Sequence, residues 1–164
     1  MVTQISKKRM FQIIKIFLWI VLLGQCLIMI KVIPWTTADS QYYLDLAKSI
    51  SSGRYGLSIP DPLRSPGYPV FLWIFTQVFH FPIVAIVIFQ MALYLISIFL
   101  IQRLLESHRI NSLWFLGLLT IYPTAAAYSV PIMTEAITIT IVSVIAFLLS
   151  RKNTPSIYSI ITHP

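Results

Sequence analysis

Long apolar runs separated by short polar segments form the main pattern of this sequence. Four runs reach or approach the roughly 20 residues that a helix needs to cross about 30 Å of hydrocarbon. They cover residues 11–33, 82–102, 113–130 and 132–150. A fifth run, YPVFLWIFTQVFHF at 68–81, is too short, because its 14 residues would reach only about 21 Å as a helix. The pattern therefore predicts an all-α integral membrane protein with about four transmembrane helices.

The composition supports this class of protein. Residues of the hydrophobic set make up 57% of the 164-residue chain, charged residues make up 10%, and the mean hydropathy is +0.82, which excludes an ordinary soluble domain. The net charge of +7 does not indicate nucleic-acid binding, because no basic stretch is interleaved with aromatic residues. The basic residues instead lie mainly beside the apolar runs, at Lys7, Lys8, Arg9, Arg103, Arg109, Arg151 and Lys152.

These basic clusters predict the orientation of the chain, since positive residues beside transmembrane helices stay on the cytoplasmic side. If residues 1–10 are cytoplasmic and 68–81 does not cross, all the clusters fall inside. A crossing at 68–81 would instead export Arg103 and Arg109. We therefore expect a multi-pass protein of a bacterial-type plasma membrane, with a cytoplasmic N-terminus and an extracytoplasmic loop at 34–81.

The transmembrane region at 11–150 is followed by a short tail, residues 151–164. In this tail the basic stretch RKN precedes SIYSIIT at 156–162, which begins another apolar run. An interrupted fifth span and a short interfacial tail both explain this pattern, and the residues favour neither.

The extracytoplasmic loop contains two predicted helices. The stretch ADSQYYLDLAKSISSGRYG at 38–56 places apolar residues on one helical face and polar residues on the other, and Gly53 lies where a helix stop is expected. The residues of the apolar face are Tyr42, Tyr43, Leu46, Ala47 and Ile50. We expect an amphipathic helix on the membrane surface with its tyrosines at headgroup depth. A short interfacial helix is then expected to begin at Pro69.

Two acidic residues fall at the extracytoplasmic ends of predicted spans. Asp39 opens the amphipathic helix just beyond the first span, and Glu135 lies in the first turn of the last span. Each carboxylate can simply stabilise a helix N-terminus. An ionisable group beside a membrane span is also a functional candidate, as a general base or a metal ligand. The spacing alone leaves both interpretations open.

The stretch RSPGYP at 64–69 adds a cation on a stiff corner of the loop. Pro66 and Pro69 restrict the backbone, and Gly67 allows a tight turn. Arg64 is thereby held between the two loop helices, where its guanidinium suits an anionic headgroup. Contact with the phosphate of ordinary lipid is the alternative.

Several short motifs follow one another along residues 10–150. They are DSQYYLDLA from residue 39, GRYG at 53–56, RSPGYPVFL at 64–72, YP at 122–123 and TEA at 134–136. In this order they resemble the N-terminal part of the family 39-like, GT-C type membrane glycosyltransferases, which include protein O-mannosyltransferases and bacterial lipid A aminoarabinose transferases. The resemblance implies transfer of a sugar from a polyprenyl-phosphate donor to a hydroxyl acceptor on protein, lipid or glycan at the extracytoplasmic face.

The resemblance also implies roles for single residues. Asp39 matches the acid that activates the acceptor or helps to hold a metal, and Glu135 matches an acid for which aspartate is the common residue. Arg64 matches the basic residue that contacts the donor phosphate, and Tyr68 joins it as a candidate substrate-binding residue. A divalent metal is not itself predicted, but Asp39 and Glu135 would be the ligands if one is bound.

Members of this family are longer and usually carry a C-terminal soluble domain, so the chain is expected to be a truncated transferase whose activity by itself is doubtful. The alternative function is a small non-catalytic membrane partner or subunit in the assembly of envelope glycans or lipids. In that alternative, Asp39, Arg64 and Glu135 act only as helix caps and lipid anchors. A transporter is less favoured, because the spans at 82–102 and 132–150 carry few polar residues.

Overall fold

The computed structural model describes residues 2–53 and 66–152. All the regular secondary structure in these ranges is helical, which confirms the all-α prediction. A π-helical turn at Ile74–Val78 continues the third helix. The α-helices are α1 (Val2–Val32), α2 (Ala38–Ser51), α3 (Gly67–Trp73), α4 (Ile83–Ser107), α5 (Ser112–Ile121), α6 (Thr124–Tyr128) and α7 (Glu135–Lys152).

Two helices are long and apolar enough to cross a membrane. They are the 26 residues Lys7–Val32 of α1 and the 25 residues of α4. The remaining apolar helices are shorter, at Ser112–Ile121 and Glu135–Ser150. By length and composition, the chain therefore has the membrane-associated character that its sequence predicts.

The predicted span at 113–130 is divided into two helices. α5 ends at Ile121 and α6 begins at Thr124, because Pro123 has no N–H to donate and restricts the residue before it. The carbonyl of Thr120 belongs to the last turn of α5, where a helix leaves its carbonyls without intrahelical partners. It accepts a 2.6 Å hydrogen bond from Nε2 of Gln25 in α1. A side chain of the neighbouring helix therefore satisfies one backbone carbonyl at the break.

α5 and α6 run beside α1 in the same direction. Three contacts join the two segments, and the residue numbers rise together on both sides. These contacts are Lys15 with Glu106 (itself bonded to Ser112), Gln25 with Thr120, and Trp35 with Ile132. Residues 112–132 consequently extend over the same length of the bundle as residues 15–35.

α4 and α7 form the most extensive helix-to-helix contact among the described residues, and small side chains line this contact. Ala136, Thr140 and Ser143 are buried on α7 at a spacing that places them on one face. The Thr140 hydroxyl lies 2.9 Å from the Ser97 hydroxyl of α4 and donates to the Leu93 carbonyl at 3.1 Å. Small and hydroxyl-bearing residues allow such close approach where lipid offers no hydrophobic drive for helix association.

The two loop helices pack against each other and against α4. Thr37 caps α2 by accepting a 3.2 Å hydrogen bond from the Ser40 N–H, and Gly53, with φ at +66°, follows the helix end as expected. The tyrosine face of α2 differs in its setting from the prediction. Tyr43 is 7% exposed and meets the Tyr68 ring of α3 edge-on, with centroids 5.0 Å apart. This face therefore forms protein core, because α3 covers it.

Candidate functional site

The backbone brings the two predicted acidic residues to one end of the bundle. The Ile132 N–H, in the connection before α7, donates a 3.0 Å hydrogen bond to the Trp35 carbonyl, in the connection before α2. Asp39 lies in the first turn of α2 and Glu135 begins α7, and both side chains are exposed. We call this end of the bundle the Glu135 end. The structure therefore juxtaposes the two segments that carry these acids.

Of the two predicted substrate-binding residues, Tyr68 lies in the described part of the chain and Arg64 lies outside it. Tyr68 is 6% exposed and its hydroxyl accepts a 3.2 Å hydrogen bond from Nε2 of Gln90 in α4. Burial raises the pKa of Tyr68 well above its usual range, the Gln90 bond opposes the rise, and the charge of Glu135 adds to it. The Tyr68 phenol is therefore a neutral group that can still donate its proton in a hydrogen bond.

A groove of about 450 Å³ opens between α4, α6 and α7 at the Glu135 end. Its wall is largely apolar, and one acidic side chain, Glu135, contributes to it. The lining residues are Tyr94, Ala125, Tyr128, Ser129, Thr134, Glu135, Ala136, Thr138, Ile139 and Val142. Such a surface suits an apolar chain that ends in a polar or charged group.

A polar network lies at the C-terminal end of α4, away from the Glu135 end, and the sequence reasoning missed it. We call this end of the bundle the Glu106 end. The Glu106 carboxylate accepts hydrogen bonds from Lys15 at 2.6 Å, Gln102 at 2.9 Å and Ser112 at 2.8 Å. Trp19 donates to Oε1 of Gln102 at 2.8 Å. The available signal was a lysine inside the first apolar run, since an ionisable group in a span requires a partner.

Gln90 is a second residue that sequence reasoning did not assign to the site. It is completely buried, and its Nε2 donates both to the Tyr68 hydroxyl and, at 2.8 Å, to the Met133 carbonyl. Its signal was a glutamine within the otherwise apolar run at 82–102. Gln90 thereby links α3 to the segment just before Glu135.

The described residues contain no group of three or more His, Cys, Asp or Glu side chains arranged to hold a metal ion. Asp39 and Glu135 are therefore not joined by a third ligand of these types in ranges 2–53 and 66–152. Metal binding at this pair would require oxygen atoms from other groups, such as a substrate phosphate.

Comparison of the chain with protein-family models, curated proteins and solved structures found no match. The similarity to the family 39-like transferases therefore stays a prediction from the short motifs that carry it.

Proposed function

We propose that this chain carries the acidic site of a membrane glycosyltransferase, which moves a sugar from a polyprenyl-phosphate donor to a hydroxyl acceptor at the extracytoplasmic face. The observation that carries the proposal is the groove of about 450 Å³, whose largely apolar wall includes Glu135 at the start of α7. A polyprenyl-phosphate sugar has the matching form, because its long apolar chain suits the wall and its sugar hydroxyls can donate hydrogen bonds to the Glu135 carboxylate.

Four membrane crossings are part of this proposal. The parallel course of α1 and the α5–α6 pair supports it, because residues 112–132 extend over the same length as 15–35. α7 is parallel to α4, since Gln90 meets Met133 and Ser97 meets Thr140. In this arrangement the Glu135 end faces the extracytoplasmic side, and the basic clusters stay in the cytoplasm.

The proposed reaction replaces one bond at C1 of the sugar with another. The acceptor oxygen forms a bond to C1 while the bond from C1 to the phosphate oxygen breaks, and the electron pair leaves with polyprenyl phosphate. We assign Asp39 as the base that takes the hydroxyl proton and Glu135 as the second carboxylate of the site. Arg64 and the neutral Tyr68 hydroxyl supply hydrogen bonds to the phosphate.

A non-catalytic partner that binds a lipid-linked substrate is the second candidate function. The apolar character of the groove wall favours it, because binding an isoprenoid chain requires this wall and no catalytic group. The two candidates differ in one respect: the transferase requires Asp39 and the partner does not.

The first test is sugar transfer by the protein in lipid nanodiscs, with a polyprenyl-phosphate sugar as donor. We expect Asp39→Asn to lower turnover by about 10²-fold or more, the typical contribution of a general base. Asp45→Asn is the matched control, because Asp45 lies on the same helix and its partners among the described residues are Gln41 and Lys48 of α2, the latter at 3.3 Å. Equal turnover in the parent and the Asp39 variant would remove the base assignment.

The second test is photo-crosslinking of a photoreactive polyprenyl phosphate to the groove. Ile139→Trp fills the groove and is expected to abolish crosslinking at α7. Ile141→Trp is the control, because Ile141 is exposed on the same helix but does not line the groove. Crosslinking without sugar transfer would favour the non-catalytic partner. If the protein showed neither crosslinking nor sugar transfer, the transferase and the partner would both be overturned.

A further inference from the structure

The buried amide of Gln90 is oriented without ambiguity. The Met133 carbonyl can only accept a hydrogen bond, so the group 2.8 Å from it must be the amide nitrogen of Gln90. The second N–H of that nitrogen faces the Tyr68 hydroxyl at 3.2 Å. Both donors of one side chain are thus used between two segments of the chain.

Stability alone explains this glutamine poorly. Gln90 is 0% exposed, and its Oε1 atom has no hydrogen-bond partner among the described residues. A buried carbonyl oxygen without a donor carries a desolvation cost that offsets much of the gain from the two N–H bonds. Any gain from Gln90 therefore depends on its two acceptors, the Tyr68 hydroxyl and the Met133 carbonyl, which would lose this donor if the residue were aliphatic.

The two acceptors of Gln90 belong to segments that carry proposed site residues. Tyr68 is itself one of them, and Met133 precedes Glu135 by two residues. The neighbouring Ile132 is tied by its N–H to the Trp35 carbonyl. The start of α7 is therefore held by hydrogen bonds at two successive residues. Of these two bonds, the one at Met133 shares its donor, Gln90, with Tyr68 of α3, and Ile132 also packs in the same buried cluster as Tyr68.

We propose that Gln90 is a positioning residue that fixes the start of α7, and with it Glu135, relative to the Tyr68 hydroxyl. The geometric part of this inference stands without the transferase. Its consequence for turnover rests on the proposed function.

Spin-label distances test the geometric part directly in the full chain in nanodiscs. The labels are placed at Val70 of α3 and Ile141 of α7, which are 40% and 54% exposed, in a Cys26→Ala background that removes the single cysteine. We expect Gln90→Met to widen or shift the distance distribution, because methionine has a similar length to glutamine but no hydrogen-bond donor. Tyr68→Phe, which removes only a hydroxyl, is expected to change it in the same sense by a smaller amount.

Gln102→Met is the matched control. Gln102 is also a buried amide of α4, with hydrogen bonds of 2.8 Å and 2.9 Å to Trp19 and Glu106, but it lies at the Glu106 end. Its loss is expected to lower stability while leaving the distance between α3 and α7 unchanged. A distribution that is the same in the parent, Gln90→Met and Tyr68→Phe overturns the positioning role.

Turnover then tests the consequence for the reaction. Because small misplacements of a reacting group act on the chemical step, we expect Gln90→Met to lower kcat by about 10- to 100-fold with KM little changed. If the parent protein transfers no sugar but the distances respond as described, the transferase fails and the positioning role stands. If sugar is transferred and the distances do not respond, the positioning role fails and the transferase stands.

Discussion

Gln25 of α1 donates its amide hydrogen to the carbonyl oxygen of Thr120 over 2.6 Å, at the point where α5 ends before Pro123. This bond replaces one that a continuous helix would have made within itself. The break in the chain and the glutamine on its neighbour therefore form one structural unit.

Gln25→Leu is expected to lower the free energy of unfolding by about 1 kcal/mol, because it leaves the Thr120 carbonyl without a donor where water is scarce. Unfolding by denaturing detergent in mixed micelles measures the change. Gln12→Leu is the control, since Gln12 is an exposed glutamine of the same helix. Equal losses for the two variants would show that the Gln25 bond contributes nothing specific.

Glu106→Ala is expected to cost more stability than Lys15→Met. The Glu106 carboxylate accepts hydrogen bonds from three donors, whereas Lys15 takes part in one of these bonds among the described residues. We expect Glu106→Ala to lower the free energy of unfolding by about 2 kcal/mol. The variant with both changes should lose less stability than the two single variants lose in sum.

The exposed pair of Asp45 and Lys48 provides the reference for this experiment. Their nitrogen and oxygen atoms are 3.3 Å apart and both side chains are well exposed, so Asp45→Ala should change stability by less than about 0.5 kcal/mol. Additive effects of Lys15→Met and Glu106→Ala would mean that the two residues do not interact.

Ala136→Leu is expected to push α4 and α7 apart. Ala136 is 2% exposed in their contact, and a larger side chain there should cost about 1–3 kcal/mol. Ala92→Leu adds the same atoms to an exposed position of α4 and should be nearly neutral. Thermal unfolding in nanodiscs compares the two variants, and similar midpoints would argue against tight packing at Ala136.

Alkaline pH is expected to destabilise the fold through Tyr68. Burial raises the pKa of Tyr68 in the folded chain above the ordinary value of about 10. The contribution of neutral Tyr68 to the stability of the fold is therefore fully present below about pH 10. It is lost as the pH rises beyond that value, because the Tyr68 hydroxyl ionises in the unfolded chain before it ionises in the folded one. Tyr68→Phe should make the fall of stability above pH 10 shallower, as measured by denaturant unfolding between pH 8 and pH 11. An unchanged slope would indicate that Tyr68 does not contribute.

The helical class and the two loop helices could be predicted because their signals are local. Apolar runs of sufficient length determine helices in a membrane setting, and Gly53 follows the end of α2 by its own backbone preference. α3 begins at Gly67, two residues before the start predicted at Pro69, because Pro66 already occupies the N-cap position. The break at Pro123 also had a local signal. It was overlooked because the apolar run continues through it.

The groupings around the candidate site were beyond the sequence because they join distant residues. The bond from Gln90 to Met133 spans 43 positions and that from Lys15 to Glu106 spans 91. No periodicity relates such pairs, and only the packing of helices decides which polar side chains meet. Asp39 and Glu135 could be named from topology, whereas the connection of Glu135 to Tyr68 through Gln90 required the fold.

The pairing of Lys15 with Glu106 has a consequence for biosynthesis. α1 leaves the ribosome before its partner exists, and 91 residues separate the two charges. At roughly 5–20 residues per second, this separation corresponds to about 5–18 s of translation. In the proposed membrane arrangement, Lys15 has no Glu106 carboxylate to pair with during that interval, and its long side chain can instead extend toward the membrane surface. α1 therefore gains its ion-pair partner only after α4 has been synthesised.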